Sequence, residues 1–221
     1  MIAVLFVCFL AGQITVAFPA NKEKPRHNLP TGKRIANPGL NVVSWEWKPA
    51  LGDRALQQVN WDWKPALPGW KIRFSPEPSG YLGLAEKELQ RITIWISPDY
   101  SQEAVAGTIA HELAHAFDWK YLTPALHREW IRARGLPPDT PWDHSVGRLG
   151  SDYLSGAGDF AESVSWTLQG PSAGFRSCLG LRLTKQQRRR VAHGCDGTRP
   201  NEAQQALIRQ WLAELPQMGG K

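Results

Sequence analysis

The chain has little cysteine, little methionine and no N-terminal apolar run long enough to span a bilayer comfortably. It contains three Cys and two Met, and its uncharged apolar run covers only residues 2–18. A membrane-spanning helix needs about 20 apolar residues, and the composition excludes multi-span membrane proteins. With 42% hydrophobic and 21% charged residues, disordered, collagen-like and coiled-coil chains are also excluded. The length of 221 residues predicts one globular domain with additions, or two small ones.

The apolar run at residues 2–18 has the features of an export signal. It is followed by a polar segment at 21–33, and small residues at Thr15 and Ala17 fit cleavage after Ala17. We therefore predict that residues 1–17 are a signal peptide or an N-terminal anchor, and that the protein is secreted or extracytoplasmic. A buried strand is the alternative interpretation of this run.

The cysteine count agrees with export, because removal of the leader leaves only Cys178 and Cys195. In an oxidising compartment we expect these two residues to form a disulfide, worth roughly 3 kcal/mol for a loop of this length. Two unrelated buried thiols are the alternative.

Positive charge exceeds negative charge by six, with 26 Lys and Arg against 20 Asp and Glu. Such an excess draws a protein toward anionic surfaces, for which the cell envelope is a candidate partner. It does not indicate specific nucleic-acid binding, because the three consecutive Arg at 188–190 would point around a short helix rather than along one face. The oligomeric state is not indicated.

Tryptophan is abundant, and part of the surplus comes from a duplication. The segment WEWKPAL at 45–51 recurs as WDWKPAL at 61–67. Trp alternating with an acid predicts a short strand with both rings on one face. The rings would then either pack on the main domain or stack on a sugar or peptide, and large aromatic side chains favour burial. We assign residues 18–69 to a linker and this Trp-rich repeat segment.

The pattern changes at residue 70, where strands precede helices. This order predicts an α+β domain over 70–217. Strands are predicted at 70–74 and 91–96, and helices at 101–119, 125–134, 159–168, 184–193 and 201–215, from apolar periodicity and turn residues. In the first helix, Val105, Ile109, Leu113 and Phe117 have the spacing of a buried face.

One motif carries chemistry, namely His111-Glu112-Leu113-Ala114-His115 inside the first of these helices. Two His at i and i+4 lie on one helix face, so both imidazoles can reach one Zn²⁺ ion. Glu112 lies beside the metal and can accept a proton from water there. Random placement would produce this pattern about 0.008 times in a chain of this composition. We therefore predict one catalytic zinc per chain, bound by His111 and His115.

A catalytic zinc needs a third protein ligand. The metzincin pattern is excluded, because Tyr121 stands where its third His would be and Asp118 where its Gly would be. The residues themselves leave six candidates for the third ligand: His127, His144, Asp152, Asp159, Glu162 and His193.

The segment 158–166, GDFAESVSW, resembles the D-F-A-E stretch of small gluzincin peptidases. Together with HExxH it makes residues 70–168 similar to a minimal gluzincin peptidase domain, including the tail-domain type found in anthrax lethal factor. The resemblance implies a zincin-like domain with a short mixed sheet, and Glu162 on a second helix as the third ligand. It also implies an edge strand that binds an extended substrate by main-chain pairing, for which 91–96 is well placed.

Residues around this ligand set receive supporting roles. Asp159 shares a helix face with Glu162 and would orient a ligand from the second coordination shell, or else cap the helix. Asp118, three residues after His115, is a rival for the orienting role. Tyr153 and His144 lie before the second helix, where related enzymes supply a donor to the oxyanion.

These observations predict a zinc metalloendopeptidase that hydrolyses a peptide or protein substrate, with Glu112 as general base. The alternative is a secreted cell-wall or glycan-binding protein in which zinc is structural or vestigial. A structural site would need four protein ligands.

Overall fold

Five stretches of the chain are described by the computed structural model: residues 49–76, 82–97, 99–143, 152–181 and 194–219. The predicted leader, the first pair of repeat Trp, His144, His193 and the helix predicted at 184–193 lie outside them. Within the described residues, no helix is both long and apolar enough to cross a membrane.

The described residues form six α-helices and one three-stranded sheet, which confirms the mixed α+β class. The helices are α1 (Pro49–Gln58), α2 (Trp63–Ala66), α3 (Gln102–Tyr121), α4 (Pro124–Ala133), α5 (Gly156–Gln169) and α6 (Glu202–Glu214). The strands are β1 (Lys71–Ser75), β2 (Gly83–Glu86) and β3 (Arg91–Trp95). Three short 3-10 turns lie at Asp152–Leu154, Gly170–Ala173 and Leu215–Met218.

The sheet is mixed and has the order β1-β3-β2. β1 runs parallel to β3, with Ile72 opposite Ile92, and β2 runs antiparallel to it, with Ala85 opposite Ile92. The expectation that residues 91–96 form an edge strand is therefore wrong, because β3 is paired on both sides. Its apolar Ile92 and Ile94 are fully buried, which favours a central position. Among the described strands, β1 and β2 are therefore the outer ones.

Helix α3 is the central helix of the core. The predicted apolar face is confirmed, since Ile109, Leu113 and Phe117 are completely buried and Val105 is nearly so. The helix begins where its sequence indicates, because the Ser101 side chain accepts a hydrogen bond from the Ala104 amide at 3.1 Å. This burial gives α3 a fixed rotation and so determines which side chains face outward.

Helix α5 packs closely along α3. The Ser165 hydroxyl donates to the Gly107 carbonyl at 2.9 Å, and a Cβ at Gly107 would lie 2.9 Å from that of Ala173. The small residue at Gly107 therefore permits the close approach of this segment to α3. Because the two helices are neighbours, the residues that begin α5 lie beside the outward face of α3.

The second copy of the Trp repeat is not a strand. Trp61 lies in a bend and Trp63 begins the short helix α2, whose Pro65 suits the first turn of a helix. Trp63 is buried, and Trp61 meets Phe117 edge to face with ring centroids 5.7 Å apart. Residues 49–69 thus contribute side chains to the same core as α3, and in the second copy burial accounts for the rings.

Candidate metal centre

Two imidazoles project from the outward face of α3 toward each other. His111 and His115 are one turn apart, and their Nε2 atoms lie 3.1 Å from each other. Each side chain is 12% exposed. The His115 ring also stacks on Trp119, which in turn stacks on Trp70, so the second imidazole is supported by packing.

The third potential ligand atom comes from Asp152. Its Oδ2 lies 3.0 Å from His111 Nε2 and 3.1 Å from His115 Nε2. These three atoms form a group that could hold a metal ion. Tetrahedral zinc with ligands at 2.0–2.2 Å has ligand atoms about 3.3 Å apart, so the spacing fits a metal with one open coordination position.

A short turn brings Asp152 to this position. The 3-10 turn Asp152–Leu154 leads into α5, which is capped by Ser155. Ser155 donates its hydroxyl to the Asp152 carbonyl at 2.8 Å and accepts from the Gly158 amide at 3.0 Å. A Cβ on Gly158 would lie 2.1 Å from the Asp152 carbonyl oxygen. Only glycine therefore lets the turn fold this closely onto the helix.

Glu162, expected as the third ligand, lies on the other side of His111. Its Oε1 is 3.0 Å from His111 Nδ1, with the distance of an ion pair but outside the angular range of a hydrogen bond. Its Oε2 accepts a hydrogen bond from the Arg176 amide at 2.7 Å. Glu162 is thus placed to orient the His111 ring, as carboxylates often do for metal-binding histidines, while the carboxylate that lies close to both imidazoles is that of Asp152.

His111, His115 and Asp152, which we call the metal group, strongly influence one another's pKa values. Burial lowers the pKa of both imidazoles, but the Asp152 carboxylate, joined at His111 by Glu162, outweighs it, so both pKa values are raised. Burial raises the pKa of Asp152, but the two imidazoles outweigh it and hold the pKa well below its ordinary value. Without metal, the group is therefore a buried cluster of imidazolium and carboxylate.

Glu112 lies between this group and strand β2. It is 7% exposed, and a Cβ on Gly83 would lie 2.6 Å from its Oε1. Burial raises the pKa of Glu112, and Asp152 adds to the increase, while His111 and His115 oppose it. The backbone of Ala85 also acts to lower the pKa of this carboxylate. A buried carboxylate with a raised pKa beside a metal group suits proton transfer.

Tyr153 follows Asp152 directly in the chain and also faces the site. Its ring lies 6.4 Å from that of His111, and its hydroxyl accepts from Arg176 Nη1 at 3.4 Å. The structure therefore brings Tyr153 close to the metal group, and its role as an oxyanion donor stays a prediction. His144, the other predicted oxyanion donor, lies outside the described residues.

Asp159 and Asp118 do not contact His111 or His115. Asp159 is completely buried on α5 and receives hydrogen bonds from Arg134, Trp130 and Ser177. It is not the cap of α5 either, since Ser155 has that role. Asp118 accepts from Trp142 Nε1 at 2.9 Å and pairs with His127 Nε2 at 2.7 Å, so its carboxylate is engaged away from the site.

The disulfide between Cys178 and Cys195 is confirmed, with Cα atoms 5.0 Å apart. It closes a loop immediately after Arg176 and Ser177. The Cys195 amide donates to the Arg176 carbonyl at 2.8 Å, which joins the two sides of the loop. The disulfide thus restrains the segment whose amide binds Glu162.

The sequence did not indicate that Asp152 lies against both imidazoles or that Arg176 lies near the site. Asp152 was among the six candidates, and the Ser155-x-x-Gly158 start of α5 is a local signal for the turn that presents it. Nothing local marks Arg176, which reaches the site only because its loop folds against α5. No family model, curated protein or solved structure matches this chain significantly.

Proposed function

We propose that this protein is a zinc-dependent metallopeptidase. The observation that carries the proposal is the triangle of His111 Nε2, His115 Nε2 and Asp152 Oδ2, with sides of 3.0–3.1 Å, beside the buried carboxylate of Glu112. Two imidazoles and one carboxylate suit zinc and leave a coordination position open. Bound zinc would polarise a peptide carbonyl and lower the pKa of water.

Glu112 is the general base in this proposal. Its carboxylate is buried against Gly83 of strand β2, next to the metal group. From there it accepts a proton from the attacking water and passes it to the leaving amine. Tyr153 offers a hydroxyl to the carbonyl oxygen as negative charge develops on it.

Strand β2 is suited to hold an extended substrate. It is an edge strand of the described sheet, it is short, and its Gly83 contacts Glu112. A peptide added to its free edge would pair with backbone groups and pass beside the general base. In this proposal β2 takes the role that the resemblance to gluzincins suggested for residues 91–96.

A structural or vestigial zinc site in a secreted binding protein is the alternative. Such a site would have four protein ligands. Among the described residues, the metal group has three, and the intact Glu112 lies beside it. The disulfide supports an oxidising, extracytoplasmic location for either function.

The test combines metal analysis with peptide cleavage. Purified protein should contain one zinc per chain and cleave members of a degenerate peptide library. The variant Glu112→Gln should keep the zinc but lose about 10²- to 10⁴-fold in kcat/KM, because it cannot accept the proton. The exposed Glu88 provides the matched control, and Glu88→Gln should be fully active.

Three outcomes would contradict the proposal. Full activity of Glu112→Gln would exclude the general-base role. Zinc bound tightly with no cleavage of any peptide would favour the structural site. Tight binding of iron in place of zinc would point to oxygen chemistry, which also uses two His and one carboxylate.

A further inference from the structure

Arg176 places a positive charge next to the metal group. The proposed mechanism does not use this charge. Its side chain is half-buried, and its Nη1 donates to the Tyr153 hydroxyl at 3.4 Å. Tyr153 in turn lies against His111. The guanidinium is therefore on the Tyr153 side of the metal group.

The guanidinium has few partners for its five N–H donors. Within the described residues, the hydrogen bond to Tyr153 is its one side-chain bond, and no Asp or Glu forms an ion pair with it. Burial acts to lower the pKa of Arg176 and the charge of Glu162 acts to raise it, but the two oxygens of Glu162 are engaged by His111 Nδ1 and the Arg176 amide. A buried or half-buried arginine is ordinarily paired with an anion, and no described carboxylate forms an ion pair with this guanidinium.

The backbone around Arg176 is held firmly. Its amide donates to Glu162, its carbonyl accepts from the Cys195 amide, and the following Ser177 donates to Asp159 at 2.6 Å. A Cβ on Gly194 would lie 2.4 Å from the Arg176 Cβ, so glycine there permits the close packing. The guanidinium is thus presented from a rigid segment, which favours binding because less freedom is lost.

We propose that Arg176 is a specificity-determining residue that binds a carboxylate of the substrate next to the scissile bond. This inference rests on the proposed peptidase function. Two sources supply that chemistry in a peptide: the C-terminal carboxylate of a chain cut close to its end, and the side chain of Asp or Glu. Planar guanidinium matches a carboxylate through two parallel hydrogen bonds, which gives geometric specificity as well as affinity.

Matched peptides separate the two sources. The starting point is a neutral peptide that the zinc-loaded protein cleaves. One pair of derivatives carries Gln or Glu next to the cleaved bond. A second pair is shortened so that the chain ends just beyond the cleaved bond, either in an amide or in a free carboxylate. The carboxylate-bearing member of at least one pair should have a kcat/KM about 10- to 100-fold higher. Whichever pair shows the difference identifies the source of the carboxylate.

Substitutions then assign the preference to Arg176. Arg176→Gln should remove the preference, so that the carboxylate-bearing and neutral members of each pair are cleaved with equal kcat/KM. Arg176→Lys should keep part of the preference, because charge remains without the planar fork. The exposed Arg209 is the matched control, and Arg209→Gln should retain the full preference. Thermal unfolding of each variant shows whether the fold is intact. Absence of any carboxylate preference in the wild type, or its persistence in folded Arg176→Gln, would overturn the inference.

A binding measurement keeps the inference testable if no peptide is cleaved and the proposed function fails. Calorimetric titration of the zinc-loaded protein with the same acid and amide peptides should show tighter binding of an acid, with the difference lost in Arg176→Gln. Equal affinities for the acid and the amide in every pair would overturn it.

Discussion

His111 is contacted by carboxylates at both of its ring nitrogens. Asp152 meets Nε2 and Glu162 meets Nδ1, each at 3.0 Å. Only Asp152 also reaches His115, so only its carboxylate closes a triangle with both imidazoles. Glu162 shares its second oxygen with a backbone amide and is 6% exposed, which makes it an anchor for the ring.

We therefore expect substitutions of Glu162 and of Asp152 to lower the affinity for zinc by different amounts. Glu162→Gln should weaken zinc binding about 10- to 100-fold, as is typical when a residue that orients a ligand is changed. Asp152→Asn should weaken it further, because a ligand atom loses its charge. Competition with a chelator of known affinity measures both effects. A larger loss in Glu162→Gln than in Asp152→Asn would identify Glu162 as the ligand and contradict this assignment.

At the scale of elements, Asp159 and Arg134 connect the segments around the site. The Arg134 side chain at the end of α4 donates to Asp159 on α5 at 2.8 and 3.0 Å, to Gln204 on α6 at 3.1 Å and to the Thr198 carbonyl. Asp159 also holds Ser177 in the loop that carries Arg176. One buried ion pair thus joins two helices, the start of a third and the disulfide loop.

Breaking this pair should destabilise the protein strongly. In Arg134→Met, the completely buried Asp159 loses its cation, and the free energy of unfolding should fall by about 3–5 kcal/mol. Denaturant unfolding followed by circular dichroism measures the change. The exposed Arg132 on the same helix is the control, and Arg132→Met should change stability by no more than about 0.5 kcal/mol. Equal effects of the two substitutions would show that the pair does not stabilise the fold.

At the scale of the whole molecule, the metal group couples stability to pH. In the metal-free protein the pKa values of His111 and His115 are raised. The stability that these two side chains contribute is therefore complete below about pH 6.5, the pKa of histidine in the unfolded chain, and is lost as the pH rises through their pKa values in the folded protein. The pKa of Asp152 is lowered, so its contribution is present above about 3.9 and is lost as pH falls through the folded value. The metal-free cluster therefore stabilises the fold most between about pH 4 and 6.5.

Above pH 6.5, bound zinc should reverse the way in which stability depends on pH. Metal binds neutral imidazole, so its stabilising effect grows as the two His lose their protons. The difference in Tm between zinc-loaded and chelator-treated protein should be larger at pH 8 than at pH 5.5, as measured by differential scanning calorimetry. A difference that stays constant over this range would contradict the assignment of both imidazoles to the metal.

Features encoded by neighbouring residues were predictable from the sequence. The spacing of apolar residues in α3, the Ser101 cap and the i, i+4 pair of His all depend on contacts within one helix. The disulfide was predictable because Cys178 and Cys195 are the two Cys that lie outside the N-terminal apolar run. The Trp repeat was misread locally, since alternation predicts a strand, whereas the second copy begins the short helix α2 and buries its rings.

Tertiary structure decided which distant residues complete the site. Asp152 lies 41 residues after His111, and its approach depends on the packing of α5 against α3 and on the turn before α5. The roles of Glu162, Asp159 and Arg176 follow from the rotation of α5 and from the loop that the disulfide closes. The central position of β3 depends likewise on pairing with β1 and β2. The sequence alone determined that one helix presents His111 and His115 on the same face, because helical periodicity is local. The ligand set and its surroundings depend on contacts between segments far apart in the chain, which periodicity does not encode.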